Sequence, residues 1–320
     1  MRRWPWVATV LVVIALWVPV VGWLWGAFSP ASQNDAGAVA QEEQAAELES
    51  PVQEGADTQS EQGASVDNSA AEPANEEAAE PERAAEQEKL AQRAESFAVD
   101  PNAQTEWNDE PNGRKVVYLT IDDGPSANTQ AVLDILDKYG CKATFFVTGI
   151  CPDYAYQIKE EFQRGHTVGL HTYSHDYAQV YASQAAYYAD LDAIGQVVKE
   201  QIGFVPCFIR FPGGSSNAVS ADYTVGIMSA LVDGVQAEGY QYYDWNASTG
   251  DGSEHTADEI YGYACEFDDL ENVVLLCHDS STKQSTVEAL PRIIEHYQKL
   301  GYTFEAIDRT TMVPHHGVNN

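Results

Sequence analysis

An α/β domain built on a parallel sheet is predicted for about 200 residues at the carboxyl end of this 320-residue chain. Seven short apolar runs, rich in β-branched and aromatic residues, alternate with stretches whose apolar residues recur at helical spacing. The runs are apolar on both faces, which is typical of strands covered by helices on each side. The sheet is either closed as a barrel or open and doubly wound. In both architectures functional groups collect at the carboxyl ends of the strands.

The predicted elements follow one another along this domain. The strands are expected at residues 116–121, 143–148, 167–170, 207–211, 240–245, 273–277 and 302–307. Residues 128–139 and 183–202 place their apolar side chains on one helical face. Thr256 and Ser285 are each followed three positions later by a glutamate, which predicts capping boxes at the starts of two further helices.

Residues 1–28 form an apolar segment separate from this domain. Residues 4–28 carry no charge and follow two arginines, and they are long enough to cross the roughly 30 Å hydrocarbon core of a bilayer. A cleavable signal peptide has a shorter core of about 7 to 15 residues, so a transmembrane anchor is predicted. The alanines near residues 38–40 leave cleavage and secretion as the alternative. The positive-inside rule places everything after Phe28 outside the cell, which predicts a single-pass protein of the cell membrane.

Residues 29–105 are predicted to be a disordered acidic linker. They are rich in Ala, Glu, Gln, Ser and Pro, and acidic residues far outnumber basic ones. Such a stretch buries too little apolar surface to offset its ordering entropy. Residues 75–97 contain good helix formers and could form helix transiently, but no apolar face repeats there. Like charges extend a linker, so this one would hold the domain away from the membrane.

The net charge limits the classes of binding partner, and the cysteines limit the possible disulfides and metal sites. The net charge of −32 disfavours nucleic acid and other anionic polymers and suits a neutral or cationic substrate. The cysteines are Cys141, Cys151, Cys207, Cys265 and Cys277. An extracellular location would allow disulfides among them, an odd number leaves at least one unpaired, and the pairing stays open. None of the spacings approaches CxxC, so no thiolate zinc site is expected.

Polar, chemically capable side chains follow five of the predicted strands. They are Asp122 and Asp123 after the first strand, His171 and His175 after the third, Arg210 at the fourth, Asp251 after the fifth and His278 after the sixth. One such strand end would be an ordinary turn, since Asp and Gly are common turn residues. Because the carboxyl ends of parallel strands share one edge, five of them together predict a functional site.

The histidines and aspartates have the composition of a metal site. His171 and His175 lie four residues apart, a spacing that can direct two imidazoles the same way. Two histidines and one carboxylate with a position left for water are the ligand set of catalytic zinc. Either Asp122 or Asp123 could supply that carboxylate. Because adjacent side chains in extended chain diverge, the other one would face the substrate as a base.

Three further groups would complete a hydrolytic centre. The ordinary pKa of histidine suits His278 to general acid catalysis near pH 7, although a histidine bonded to backbone is equally common at a strand end. Arg210 could hold a carboxylate ionised or simply form a structural ion pair. Gly213 and Gly214 allow close backbone approach, so an amide there could stabilise an oxyanion.

The stretches TIDDGP, HTYSH, RFPGGSS and LLCHD, in this order and spacing, resemble the signature motifs of the NodB-type polysaccharide deacetylases. Members of that family are metal-dependent esterases that remove acetyl groups from glycans. The resemblance covers residues 114–308, which leaves residues 309–320 as a C-terminal tail. It implies a distorted (β/α) barrel, often of seven strands, in agreement with the seven runs counted above.

The resemblance also implies a role for each matching residue. Asp122 would be the general base, Asp123, His171 and His175 the ligands of a divalent metal, usually zinc, His278 the catalytic acid, Arg210 the orienting arginine of the base, Asp251 the residue that tunes the acid, Leu276 part of the acetyl pocket and Gly213 the oxyanion donor. The family commonly has a tryptophan directly after the tuning aspartate, where this chain has Gly252. Either Trp245 supplies that aromatic wall or the groove is more open.

The function implied is hydrolysis of an N-acetyl group on an extracellular polysaccharide. For a domain outside the cell on an acidic linker, peptidoglycan N-acetylglucosamine is the nearest abundant substrate of this kind. Exopolysaccharide, chitin oligomers and acetylated xylan are alternative substrates. A glycan-binding homologue without activity is a further alternative, against which stands the presence of Asp122, Asp123, His171, His175 and His278.

Overall fold

The computed structural model of the protein describes residues 76–102 and 108–320. The predicted anchor, residues 1–28, and the first part of the predicted linker lie outside the described residues. Within the described ranges, no helix has both the length and the apolar character needed to span a bilayer.

The described residues form eight helices and eight strands. The helices are α1 (Glu76–Phe97), α2 (Thr129–Tyr139), α3 (Gln157–Gln163), α4 (Tyr177–Val180), α5 (Gln184–Ile202), α6 (Ile227–Ala237), α7 (Ala257–Ala264) and α8 (Gln284–Lys299). The strands are β1 (Val116–Asp122), β2 (Ala143–Val147), β3 (Thr167–Leu170), β4 (Phe208–Ile209), β5 (Gln241–Tyr242), β6 (Ala247–Ser248), β7 (Asn272–His278) and β8 (Thr303–Phe304). Each of the seven predicted runs contains a strand.

The strands form one parallel sheet in the order β5-β4-β3-β2-β1-β7-β6, and β8 pairs with the start of β1 beside it. The two edge strands, β5 and β6, are neighbours in the chain. From Tyr242 to Ala247 there are only five residue steps, which reach at most about 18 Å. The sheet must therefore curl until its edges approach each other. This parallel, incompletely closed barrel agrees with the predicted distorted barrel.

The central strands are buried on both faces, as the sequence predicts. Every residue of β1 and of β7 is buried, and the two strands pair along their whole length from Val116 and Asn272 to Asp122 and His278. Helices cover the outer face of the sheet. Aromatic and aliphatic side chains, including Phe146 from β2, fill the inside. The carboxyl ends of β1 and β7 thus bring Asp122 and His278 to the same level of the barrel.

Two predictions of local structure need correction. The run at residues 240–245 does not form one strand, because β5 ends at Tyr242 and the chain crosses to the opposite edge before β6 begins. The capping box at Thr256 is formed with Glu259. The one at Ser285 is wrong, because α8 begins at Gln284 and Ser285 already lies inside its first turn.

The structure also differs from the expectation of disorder at the end of the linker, because residues 76–97 form helix α1. Its last turns pack on the domain. Phe97 is buried with its ring edge-to-face against Phe208, and Arg93 donates from Nη2 to the His166 carbonyl at 2.8 Å. The Arg93 guanidinium also lies over the Phe97 and Phe162 rings. Contacts of one helix end with the domain explain why α1 is ordered. Because only a few side chains make these contacts, the sequence of the helix shows no repeating apolar pattern.

One buried carboxyl group predicts a pH-dependent stability. Glu161 on α3 is fully buried, and neither of its oxygens has a hydrogen-bond partner among the described residues. Burial raises the pKa of this carboxyl well above its ordinary value. The unfolded chain loses the proton near pH 4 while the folded chain keeps it, so this group makes stability fall as pH rises above about 4.

Glu161→Gln is therefore expected to melt at a higher temperature than the parent at pH 8, and this difference should shrink towards pH 5. Thermal unfolding of both proteins at several pH values measures it. Glu200→Gln, at an exposed position on α5, is the matched control and should show no such trend. A Glu161→Gln difference that does not change with pH would contradict the assignment of a raised pKa.

Candidate active site and metal centre

Strained backbone marks the loops that follow β1 and β3. Asp123, Thr172 and His175 have φ values of 71°, 68° and 51°, in the left-handed region that residues other than glycine rarely adopt. Such strain persists only where the surroundings enforce it, and it is common at functional sites. The next residue, Gly124, is tightly enclosed, because a Cβ added there would overlap the Asp279 carboxylate. The motif DDGP therefore needs its glycine for close packing.

Asp123, His171 and His175 converge as a candidate metal centre. Asp123 Oδ1 lies 3.6 Å from His171 Nε2 and 3.5 Å from His175 Nε2, and all three possible ligand atoms lie within 4.8 Å of one another. Asp123 Oδ1 and His171 Nε2 are buried and have no hydrogen-bond partner among the described residues. Leaving such atoms unsatisfied is costly, whereas a divalent cation would use them. The donor set therefore fits a metal such as zinc.

The protonation state of His171 also fits a ligand. Its Nδ1 lies 2.8 Å from the Arg210 carbonyl oxygen, which can only accept a hydrogen bond. Nδ1 therefore carries the proton and Nε2 keeps its lone pair, as in other metal-binding histidines. Burial and the neighbouring His175 lower the pKa of His171 to about 3. Burial opposes ionisation of Asp123, but the histidines that face it, led by His175, lower its pKa below the ordinary value.

Asp122 faces the metal centre while it is held by Arg210. Its Oδ2 lies 3.7 Å from His171 Nε2, and its Oδ1 accepts a hydrogen bond of 2.8 Å from Arg210 Nη1. Both side chains are buried, which makes this charged hydrogen bond strong and specific. Arg210 also donates from Nη1 to Thr120 Oγ1 at 2.8 Å. The ion pair fixes the orientation of the Asp122 carboxylate beside the cluster.

Arg210 is in turn fixed by the crossing between β5 and β6. It donates from Nε to the Tyr243 carbonyl at 2.9 Å and from Nη2 to the Asp244 carbonyl at 3.0 Å. Its guanidinium lies over the Phe146 ring and over the Trp245 ring, 4.4 and 5.6 Å from their centroids. Backbone and aromatic contacts on all sides leave this side chain one position.

His278 and Asp251 form a buried pair on the other side of the site. Asp251 Oδ1 lies 2.8 Å from His278 Nδ1, and Asp251 Oδ2 accepts from the His278 amide at 2.8 Å and from Thr286 Oγ1 at 2.7 Å. Burial opposes ionisation of Asp251, but the charge of His278 and its hydrogen bond outweigh this and lower the pKa of Asp251 to about 2. The bonds from one carboxylate to Nδ1 and to the His278 amide fix the position of the ring.

The three residues predicted to contact substrate, Gly213, Leu276 and Trp245, are buried. Gly213 has a φ of 71° and sits with Gly214 in a buried turn after β4. Leu276 is buried in β7 beside Thr120 of β1. Trp245 keeps only 8% of its surface exposed, because its ring packs against Gly214 and over Arg210. This arrangement gives Trp245 little surface to offer a glycan as an aromatic wall.

Two residues of the site received no role from the sequence. Lys283 donates from Nζ to the Asp251 carbonyl at 2.6 Å and to the Gly252 carbonyl at 3.2 Å. Asp279 is fully buried, its Oδ2 accepts from Thr129 Oγ1, and burial raises the pKa of its carboxyl to about 7. Both lie in the loop that begins at His278, so position after a strand was the signal that could have found them.

Together these groups can hydrolyse a carbonyl compound. A metal centre can polarise the carbonyl and acidify water, a carboxylate beside it can take a proton, and a histidine from a separate strand can return one.

Comparison with known proteins agrees with this chemistry. The family model described as polysaccharide deacetylase matches residues 109–226. The crystal structure of the catalytic domain of a peptidoglycan N-acetylglucosamine deacetylase from Eubacterium rectale is 44% identical, with a TM-score of 0.65, and the match covers 69% of this chain and 100% of that one.

Two curated proteins extend the comparison. A peptidoglycan-N-acetylglucosamine deacetylase of Bacillus cereus is 28% identical over 221 residues, which are 68% of this chain and 97% of that protein. A bifunctional xylanase/deacetylase of Pseudobutyrivibrio xylanivorans is 32% identical over 61% of this chain, but the match spans only 30% of that protein.

Proposed function

This chain belongs to the polysaccharide deacetylase family, and on that premise we propose that it is a metal-dependent hydrolase that removes N-acetyl groups from the N-acetylglucosamine of peptidoglycan. The observation that carries the proposal is the convergence of Asp122, the cluster of Asp123, His171 and His175, and the buried pair of His278 and Asp251 at the carboxyl ends of four strands, β1, β3, β6 and β7. These groups supply a base, a metal centre and an acid in one place.

The base is Asp122. Asp123, His171 and His175 would hold the metal, which when bound would polarise the acetyl carbonyl and lower the pKa of water. Asp122 takes a proton from the attacking water, and the new C–O bond forms as the carbonyl becomes tetrahedral. Arg210 binds one oxygen of Asp122 and directs the other oxygen to the site. A backbone amide at Gly213 stabilises the oxyanion.

The acid is His278. Its Nε2 delivers a proton to the sugar nitrogen as the C–N bond breaks, so the products are acetate and a free amine. The ionised Asp251 holds Nδ1 and stabilises the protonated ring. Lys283 keeps the Asp251 backbone in place through its carbonyl. Leu276 in β7 lines the bottom of the space for the acetyl methyl.

Peptidoglycan as the substrate has two supports. The Eubacterium rectale and Bacillus cereus relatives are described as peptidoglycan N-acetylglucosamine deacetylases. Residues 1–28 have the length and charge pattern of a membrane anchor, and an acidic linker follows them. We therefore propose a single-pass membrane protein whose enzymatic domain faces the cell wall.

The substrate is tested with the full chain in detergent. The protein is incubated with zinc and with purified peptidoglycan, N-acetylglucosamine oligomers or acetylated xylan. The glycan products are then followed by mass spectrometry. We expect loss of acetyl groups from the N-acetylglucosamine of peptidoglycan. Deacetylation of xylan alone would support the second candidate, which the relationship to the xylanase/deacetylase favours. Binding without deacetylation of any glycan would leave the inactive, glycan-binding alternative.

A further inference from the structure

The predicted C-terminal tail, residues 309–320, makes hydrogen bonds with the rest of the domain. Residues 314–320, here called the C-terminal strap, run across the loops after β4 and β5. Asn319 Nδ2 donates to the Ser216 carbonyl at 2.9 Å, and Asn320 Nδ2 donates to Ser220 Oγ at 2.8 Å. The strap is thus anchored at its far end to the loop that leads into α6.

His315 attaches the near end of the strap to β5. Its ring stacks on Tyr242, with centroids 3.9 Å apart and planes 15° from parallel. His315 Nε2 lies 2.7 Å from the Gln241 side-chain amide nitrogen and 3.2 Å from the Tyr242 carbonyl oxygen. The start of the strap therefore contacts the end of β5, where the crossing to β6 begins.

His316 binds the crossing itself. Its backbone N–H donates to Asp244 Oδ2 at 2.8 Å, and its ring Nε2 donates to the Trp245 carbonyl at 2.6 Å. Its Nδ1 lies 3.2 Å from Ser216 Oγ, so the serine hydroxyl donates to it. The His316 ring also meets the Trp245 ring edge-to-face at 4.7 Å. Four contacts from one residue thus join the crossing to the loop after β4.

His316 binds Asp244 and Trp245, and these two residues in turn contact Arg210 and the turn at Gly213 and Gly214. The Asp244 carbonyl accepts from Arg210, which binds Asp122. The Asp244 carboxylate accepts from the Ser215 amide at 2.8 Å, directly after Gly213 and Gly214. Gly214 lies so close to Asp244 and Trp245 that an added Cβ would be 3.0 Å from each.

The crossing needs such a support because the sheet provides little. The described residues between β5 and β6 are not part of any strand, although the Tyr243 amide donates to the Ile209 carbonyl and the Asn246 amide to the Val274 carbonyl. The Asp244 amide is bound by the strap, since it donates to the Pro314 carbonyl at 3.1 Å. The middle of the crossing is therefore fixed from the strap side.

We propose that His316 is a positioning residue for the deacetylase reaction. It binds the crossing at Asp244 and Trp245, and the crossing in turn fixes the orientation of Arg210 and of the Gly213–Gly214 turn. The inference rests on the proposed function. A displacement of about 1 Å in a catalytic group can cost on the order of a hundredfold in rate, so loosening this support should be visible in kcat.

Two substitutions separate the hydrogen bonds of His316 from its packing. His316→Phe keeps a ring against Trp245 but removes both ring hydrogen bonds. His316→Gln removes the ring but keeps a donor that can reach the Trp245 carbonyl. His296→Phe is the matched control, because His296 is half-buried on α8 and its ring binds Asp268, away from the site. All proteins are full chains in detergent, loaded with zinc.

His316→Phe is expected to lower kcat on N-acetylglucosamine oligomers by at least about tenfold, with KM changed less than about twofold and bound zinc unchanged. His316→Gln should recover kcat to within about threefold of the parent. His296→Phe should match the parent. A purely structural role would instead change melting temperature and zinc content together with activity. Equal kcat in the parent and His316→Phe, or no recovery in His316→Gln, would overturn the proposal.

Hydrogen exchange keeps this test separate from the proposed function. The Ser215 and Asp244 amides are bonded within the region that His316 holds. Their exchange rates should be at least about tenfold higher in His316→Phe than in the parent. In His296→Phe these rates should equal those of the parent. If the parent itself releases no acetate, the deacetylase function fails while this measurement still decides the role of the strap. Unchanged exchange at both amides in His316→Phe would contradict that role.

Discussion

Asp122→Asn is expected to lower kcat for deacetylation by about 10² to 10⁴-fold, the usual contribution of a general base. Asparagine has nearly the same shape, and its oxygen can still accept the hydrogen bond that Arg210 Nη1 now gives Asp122 Oδ1. The amide cannot take a proton from water. Because Asp123, His171 and His175 are untouched, zinc content should stay at the parent level. Acetate release and metal analysis on the same preparation measure both quantities.

The control for this substitution is Asp153→Asn. Asp153 is exposed in the short 3₁₀ turn that follows β2. The substitution therefore removes a carboxylate near the same end of the sheet without changing the site. It should keep the activity of the parent. If Asp122→Asn retained more than about a tenth of the parent kcat, Asp122 would not be the base.

His171→Ala is expected to abolish both zinc binding and acetate release. It removes one of the three converging ligands, and the remaining Asp123 and His175 offer too few for a stable site. Zinc at about 100 times its dissociation constant should stabilise the parent by about 2.7 kcal/mol, because it binds only the folded chain. Thermal unfolding with zinc and with a chelator measures this difference, which should vanish in His171→Ala.

A histidine outside the cluster provides the control for the metal centre. His296→Ala should keep the zinc-dependent rise in melting temperature, since its ring lies on α8 beside Asp268. Zinc stabilisation that persisted in His171→Ala would place the metal elsewhere.

The convergence of the site residues could be predicted from the sequence because the carboxyl ends of parallel strands lie together. Asp122 and His278 end two strands that pair in register, so motifs more than a hundred residues apart meet without any further information. His171 follows β3 in the same way. The left-handed backbone at Asp123 and His175 was not predictable, because it is imposed by the loops around them.

The parts that sequence patterns missed depend on contacts that leave no periodic signal. Helix α1 is docked by Arg93 and Phe97 at one end, and the strap is docked by His315 and His316. Single side chains against backbone carbonyls and rings hold both segments. A composition rich in alanine and glutamate, or two histidines near the end of a chain, predicts neither.

The crossing between β5 and β6 shows how one local error changes an assigned role. The sequence predicted a continuous strand over residues 240–245 and offered Trp245 as an aromatic wall of the groove. Because the chain leaves β5 at Tyr242, Trp245 instead packs over Arg210 and Gly214. Through Arg210, these contacts of Trp245 bear on the position of Asp122.

The most direct test of the deacetylase centre is acetate release by the full chain from peptidoglycan, after metal removal and after zinc is restored. We predict no release from the metal-depleted protein, recovery on addition of zinc, and no recovery in Asp122→Asn. Release that persisted without metal would contradict the role of Asp123, His171 and His175. No release from any acetylated glycan by zinc-loaded protein would contradict the catalytic function itself.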